Sequence, residues 1–286
     1  MILNNEKFRL EIIEKGGEIQ SLFDKEANVE YMWQGDENIW TGKNPTLFPL
    51  CCGLYKKSYE LNGNTYPMEN HGFIRVSDMK CIYSDDKKVT MELKQNEYTL
   101  SRYPFDFTFH TNYELNDNKV IITYDITNDS EVDMPFTFGQ HPGFNVPVYN
   151  DEKFEDYKLV FPIEEDAEMM IIDKTKTHYP DIVATKLKEF NLNYEDFRKY
   201  STLLYRNIKS PYVDLVGKNQ TIRVSIEGYK YLAIWTVADA PFLCIEPWHA
   251  TGDFYDVKED IYNRKDTIVL KPEEVWTTQY SIEIIK

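Results

Sequence analysis

Residues 105–126 read FDFTFHTNYELNDNKVIITYDI, and their period decides the fold. Phe105, Phe107 and Phe109 alternate with polar residues, and after Asn116, Asp117 and Asn118 the alternation resumes at Val120, Ile122, Tyr124 and Ile126. Successive side chains of a strand point to opposite faces, so an apolar residue at every second position marks a strand with one buried face. Asn and Asp tolerate the left-handed backbone of a tight turn, and the two runs therefore predict an antiparallel hairpin.

The same signal extends outward from this hairpin. Val89, Met91 and Leu93 alternate in the same way, and further strands are expected at Phe8 to Ile13, Met134 to Phe138, Ile222 to Ile226, Tyr231 to Val237, Phe242 to Ile245 and Thr277 to Ile285. An aromatic share of 15%, with 21 Tyr and 16 Phe, favours strands because flat rings pack well on a pleated surface. Helical periodicity is confined to about Tyr194 to Tyr200, where Asn193 can cap the first turn. The expected fold class is all-β, a large antiparallel β-sandwich. No linker, low-complexity tract or repeat divides the chain, so residues 1–286 are read as a single domain.

Charge and composition narrow the function classes. A net charge of −16 repels phosphate backbones and anionic lipid, which argues against nucleic-acid and membrane partners. The opening MILNNEKFRL lacks the apolar stretch of a secretory signal, and no segment approaches the ~20 apolar residues of a membrane span, so a cytoplasmic location is expected. Cys51, Cys52, Cys81 and Cys244 form no C-x-x-C pair and have no His at zinc-finger spacing. Reduced, mostly buried thiols follow, with no metal assigned. Nucleotide loops, the G-x-S-x-G elbow and H-E-x-x-H are all missing from the sequence.

Three segments can carry chemistry. Asn70-His71-Gly72-Phe73-Ile74-Arg75 sets an imidazole beside a glycine that permits close approach. Phe138-Gly139-Gln140-His141-Pro142-Gly143-Phe144 holds a His between two glycines, read as exposed at the end of a strand. Phe242-Leu243-Cys244-Ile245-Glu246-Pro247-Trp248 closes a strongly apolar strand with a carboxylate, which is rare in a core unless paired or functional. Each also has a structural reading: a loop His bonded to a carbonyl, or a Glu with its head in water. His110 should face away from the alternating Phe residues, His178 should be exposed, and His249 is held in reserve as a further pocket residue. Trp248, Phe73 and Trp235 can offer flat faces to a bound ligand, although Trp235, in mid-strand, reads better as core.

In combination these segments resemble the aldose 1-epimerase (galactose mutarotase-like) family, especially the mutarotase-like branch of lactose operons. The shared order runs through Gly16-Gly17 in a strand Phe8 to Leu22, Trp40, Asn44-Pro45-Thr46-Leu47-Phe48-Pro49, Gly53, the His71 and His141 segments, Tyr103-Pro104-Phe105, Ile234-Trp235 and the Glu246 segment. The resemblance implies the galactose mutarotase-like supersandwich and an isomerase that interconverts the α and β anomers of a free aldohexose without metal or cofactor. It makes Glu246 the general base, His141 the general acid and His71 a second active-site His. Trp248 and Phe144 would then wall the site and raise the pKa of Glu246. Where galactose mutarotases carry a sugar-binding Asp this chain has Ser210, with Asp214 four residues on, and their Arg could be replaced by Arg75, Lys43 or Lys57. Two alternatives remain. One is a hexose-6-phosphate 1-epimerase using donors such as Arg75, Arg102 or Lys57; the other is a non-catalytic sugar-binding or regulatory protein. Monomer and homodimer are both open.

Overall fold

The computed structural model of the chain describes residues 1–173 and 175–286. Alternation in the sequence becomes a 15-stranded sheet in which neighbouring strands run antiparallel. Its path runs from Thr46–Leu47 through Gly139–Gln140, Phe242–Trp248, Tyr231–Trp235, Thr202–Arg206, Lys158–Ile171, Tyr212–Val216, Thr221–Ser225, Val275–Ile285, Lys119–Asn128, Phe107–Asn116 and Lys88–Lys94 to Lys80–Ser84. A smaller four-stranded sheet is built from the first thirty residues.

The long sheet folds back on itself. Gln140, near one end of the path, accepts a 2.8 Å hydrogen bond from the hydroxyl of Tyr124, near the other end. The Phe138 ring packs edge-on against Tyr124 with centroids 5.0 Å apart. Phe48 likewise sits within 5.1 to 6.0 Å of Phe73, Tyr103, Phe107, Phe109 and Phe136. Two layers thus share an aromatic core, the arrangement of a β-sandwich. Burial of this apolar area is the principal force holding the layers together.

Local expectations can be compared directly. The hairpin forms with Phe107–Asn116 paired to Lys119–Asn128, and Asp117 takes the left-handed turn conformation at φ 48°. The helix spans Tyr194–Tyr200, capped by Asn193, whose side chain accepts from the Asp196 N–H at 3.0 Å. The proposed strand Phe8 to Leu22 is instead a hairpin, Phe8–Ile12 with Ile19–Asp24. Gly16 and Gly17, at φ 69° and 59°, take the turn between them. The strand expected at Met134 to Phe138 stops at Phe136, paired with Ile268–Leu270, and Gly139–Gln140 beyond it joins the large sheet. Among the described residues no helix is long and apolar enough to cross a membrane.

Candidate active site

Strand Phe242–Trp248 is buried along its whole length, flanked by Tyr231–Trp235 on one side and by two short pieces, Gly139–Gln140 and Gly143–Asn145, on the other. His141 and Pro142 span the gap between those pieces. His141 is therefore held between two paired segments and is buried, where the sequence suggested an exposed strand end. The flanking glycines are a packing requirement. A Cβ on Gly139 would stand 2.7 Å from Trp248 Cδ1, and one on Gly143 would stand 2.9 Å from Trp40 Cζ3. Without side chains there, both indoles lie close against the backbone and wall a cavity.

His71 reaches the same cavity from a different loop. His71 and Gly72 both adopt left-handed backbone, at φ 67° and 71°, and the His71 N–H donates to the Cys52 carbonyl at 2.9 Å. At Gly72 a side chain is impossible, since a Cβ would lie 2.1 Å from the Phe48 carbonyl oxygen. The imidazoles of His71 and His141 meet edge to face with centroids 5.4 Å apart.

The cavity holds about 400 Å³ and is lined by His71, His141, Glu246, Trp40, Trp235 and Trp248, with Cys52, Lys176, Asp253 and Phe254 around the rim. His141 Nε2 lies 3.2 Å from Glu246 Oε2, in close contact but not aligned for a hydrogen bond. Trp40 packs over the His141 ring at 4.9 Å, and Trp235 meets it edge-on at 5.4 Å. These apolar walls explain the electrostatics. Burial pushes Glu246 well above the usual carboxylate range, and the Cys52 thiol adds to this, while the Trp248 indole N–H nearby draws it partly back. Burial likewise pushes His141 well below the ordinary imidazole range, helped by His71. His71 is lowered to about 4 by burial and then by Arg75.

Several polar atoms here have no hydrogen-bond partner among the described residues: Glu246 Oε2, His141 Nδ1, His71 Nδ1 and Trp248 Nε1. Buried polar groups are ordinarily paired, because each unpaired one costs about 1–3 kcal/mol. A cluster of them on residues that line one cavity marks a site prepared for a polar ligand.

The other residues named from the sequence lie elsewhere. Phe144 points to the opposite face of its strand and is packed in the main core, so it does not wall the cavity. Arg75 lines a separate groove of about 250 Å³ with Glu18 and Lys43, and reaches the histidines only through its field. Ser210 donates from its N–H and its hydroxyl to Glu165, at 2.6 and 2.5 Å. Asp214 is clamped by Arg223 at 2.8 and 2.9 Å. Neither Ser210 nor Asp214 lines the cavity. Lys57 is paired with Glu69 at the surface, and the Arg102 guanidinium stacks over Tyr98. His249 faces away, its Nε2 3.0 Å from the Thr278 hydroxyl. His110 is half-buried against Glu92 at 3.0 Å, and His178 is exposed.

Trp235, read as core, is a cavity wall. Strand register explains it: Trp235 pairs with Cys244, Ala233 with Glu246 and Tyr231 with Trp248, so these residues share one face. Lys176, Cys52 and Phe254 carried no readable signal, because their loops reach the site only through long-range packing.

Comparison with known proteins agrees with this architecture. The protein LacX of Lactococcus lactis subsp. lactis, in its plasmid form, is 28% identical over 302 aligned residues that cover 99% of this chain and 98% of that protein. The crystal structure of a galactose mutarotase-like protein from Lactobacillus casei ATCC 334 superposes with a TM-score of 0.92 at 29% identity, covering 99% of both chains. A galactose mutarotase related enzyme from Lactobacillus acidophilus gives a TM-score of 0.91 at 26% identity, covering 100% of this chain and 97% of its own. Residues 1–283 match the sequence model of the family described as aldose 1-epimerase. With the fold, the cavity and this match in agreement, the chain belongs to the aldose 1-epimerase family of isomerases acting on carbohydrates.

Proposed function

We propose that the protein is a mutarotase, opening and reclosing the ring of a free aldohexose with Glu246 as base and His141 as acid. The observation that carries this reading is the 3.2 Å approach of His141 Nε2 to Glu246 Oε2 in a cavity of about 400 Å³ walled by tryptophans. Opening a hemiacetal removes one proton from the C1 hydroxyl and delivers another to the ring oxygen. Both oxygens are bonded to C1, so an acid and a base side by side can serve them together.

The pair holds its protons jointly. Burial favours a protonated Glu246 beside a neutral His141. The working form, carboxylate beside imidazolium, has the same number of protons and is reached by moving one of them between the two groups. Glu246 then takes the proton from the C1 hydroxyl while His141 gives its own to the ring oxygen. Rotation about C1–C2 in the open aldehyde exposes the other carbonyl face, and reclosure reverses both transfers. In this reading His71, which lines the same cavity, hydrogen-bonds the ring oxygen, and the faces of Trp40, Trp235 and Trp248 suit the C–H face of a pyranose.

A free aldose is favoured over a sugar phosphate because Lys176 is the one Lys or Arg lining the cavity among the described residues. Phosphate clamps normally use several cationic or bidentate donors. Polarimetry on freshly dissolved α-glucose and α-galactose tests the proposal, with glucose 6-phosphate in parallel. Acceleration of either free sugar supports it. Acceleration of the phosphate alone transfers the reading to a hexose-6-phosphate epimerase, and binding without any acceleration transfers it to a sugar-binding protein.

A further inference from the structure

Acid–base ring opening leaves one buried thiol beside the site without a role. Cys244 precedes Glu246 by two residues in the same strand, so both side chains face the cavity side of the sheet. One ligand atom from each of His141, Cys244 and Glu246 lies within 4.8 Å of the other two, and all three residues are buried. Glu246 Oε2 and His141 Nδ1 have no hydrogen-bond partner among the described residues. None of the four cysteines is in a disulfide.

We propose that His141, Cys244 and Glu246 form a zinc-binding site, with the cavity at the fourth position, and that Zn²⁺ held there is a reversible inhibitor. The inhibitory part rests on the mutarotase reading; the binding does not. Imidazole, thiolate and carboxylate together suit a borderline-soft ion, while Mg²⁺ and Ca²⁺ require six or more oxygens. Tetrahedral zinc bonds at about 2.0–2.3 Å, which sets its ligand atoms roughly 3.5 Å apart. The 3.2 Å separation of His141 Nε2 and Glu246 Oε2 already matches one edge of that tetrahedron. The thiol, within 4.8 Å of both other ligand atoms, has to close by at most about 1.3 Å.

Charge also balances. On binding, the thiol proton and the proton shared by the Glu246–His141 pair leave to solvent, and the ion with one thiolate and one carboxylate is neutral overall. A neutral cluster is far cheaper to bury among Trp40, Trp235 and Phe242 than a bare ion. The cavity supplies the entry path. Inhibition follows because the ion occupies the lone pairs that move protons in the proposed reaction.

A neighbouring pair of thiols provides the control. Cys51 Sγ and Cys52 Sγ lie 3.4 Å apart, and Cys52 lines the same cavity. Calorimetric titration with zinc chloride in a non-chelating buffer is expected to give one tight equivalent per chain. Cys244→Ser and Cys244→Ala should weaken it by roughly tenfold or more, whereas Cys52→Ser should not. Cobalt(II) titrated into the unmodified protein should show thiolate-to-metal charge-transfer absorption, a readout that requires no variant to fold. In the mutarotation assay, the ratio of rates without and with zinc should fall toward one in both Cys244 variants. Absence of a stoichiometric equivalent, a cobalt spectrum without thiolate absorption, or binding that depends on Cys52 instead of Cys244 would overturn the site. Cys244-dependent zinc that leaves mutarotation unslowed would overturn the inhibition. A protein that binds zinc as described but accelerates no sugar upholds the metal site and removes the mutarotase reading alone.

Discussion

His141 stands directly across from Glu246. Gly139 pairs with Trp248 and Gly143 with Cys244, so counting two residues inward from either pair brings position 141 opposite position 246. The hydrogen bonds on both sides, His249 N–H to the Phe138 carbonyl at 2.9 Å and Ile245 N–H to the Pro142 carbonyl at 3.2 Å, fix that register. The proposed acid and base are thus a cross-strand pair, whose separation is set by the sheet.

A pair fixed in this way should fail as a unit. Glu246→Gln and His141→Asn are each expected to lower kcat by roughly 10²–10⁴, the usual weight of general acid–base catalysis. The double variant should be little worse than either single one. Thermal melts should show Glu246→Gln no less stable than the parent, because it removes an ionisable group that burial disfavours. Multiplying single-variant losses in the double would contradict a shared step.

Gly143→Ala tests the wall. Gly143 has no left-handed φ, so alanine carries no backbone strain there and the conflict is steric, with Trp40 and with the Lys43 carbonyl 3.1 Å away. Overpacking of this kind costs about 1–3 kcal/mol, and kcat should fall roughly tenfold or more as Trp40 is pushed off His141. Circular dichroism and kinetics on one preparation would separate the two effects.

Trp235 and Asp214 give contrasting expectations. Trp235→Ala opens the cavity beside His141, and KM for the hexose should rise roughly tenfold, about 1.4 kcal/mol of lost contact. Asp214→Asn and Ser210→Ala should leave KM within about twofold, since both side chains are bonded to Arg223 or Glu165 away from the cavity. A large KM effect at Asp214 would place the sugar somewhere else.

Acid stability should report His249. Burial, and then Lys230, lower it to about 4 from an ordinary 6.5. A depressed folded-state value means stability that is present above pH 6.5 and lost as the pH falls through about 4. Its upper bound is about 3 kcal/mol, at about 1.4 kcal/mol for each pH unit. His71, also lowered to about 4, adds to the same window. Denaturant melts of His249→Gln between pH 7 and 4 should therefore slope less steeply than those of the parent. Parallel slopes would contradict the assignment.

What could be read in advance follows from the range of each interaction. The helix at Tyr194–Tyr200 and the hairpin at Asp117 depend on neighbours a few residues away, and period and capping chemistry were enough to place them. Glu246, His141 and His71 stood out as polar groups in apolar or glycine-rich settings. Phe144 was misassigned because Pro142 hides the strand continuity that puts His141 and Gly143 on one face and Phe144 on the other. Trp235 was misassigned because its role depends on pairing with Cys244, and cross-strand register is long-range information. Ser210 and Asp214 lie near the family's sugar-binding Asp in sequence, while the sheet turns them toward Glu165 and Arg223.

The most direct test is magnetisation exchange between the α and β anomeric protons of glucose and galactose at equilibrium, where no net reaction is needed. The account predicts exchange cross-peaks with catalytic amounts of the unmodified protein for at least one sugar, and none above buffer with the Glu246→Gln, His141→Asn double variant. Exchange that persists at full rate in a folded double variant would contradict it.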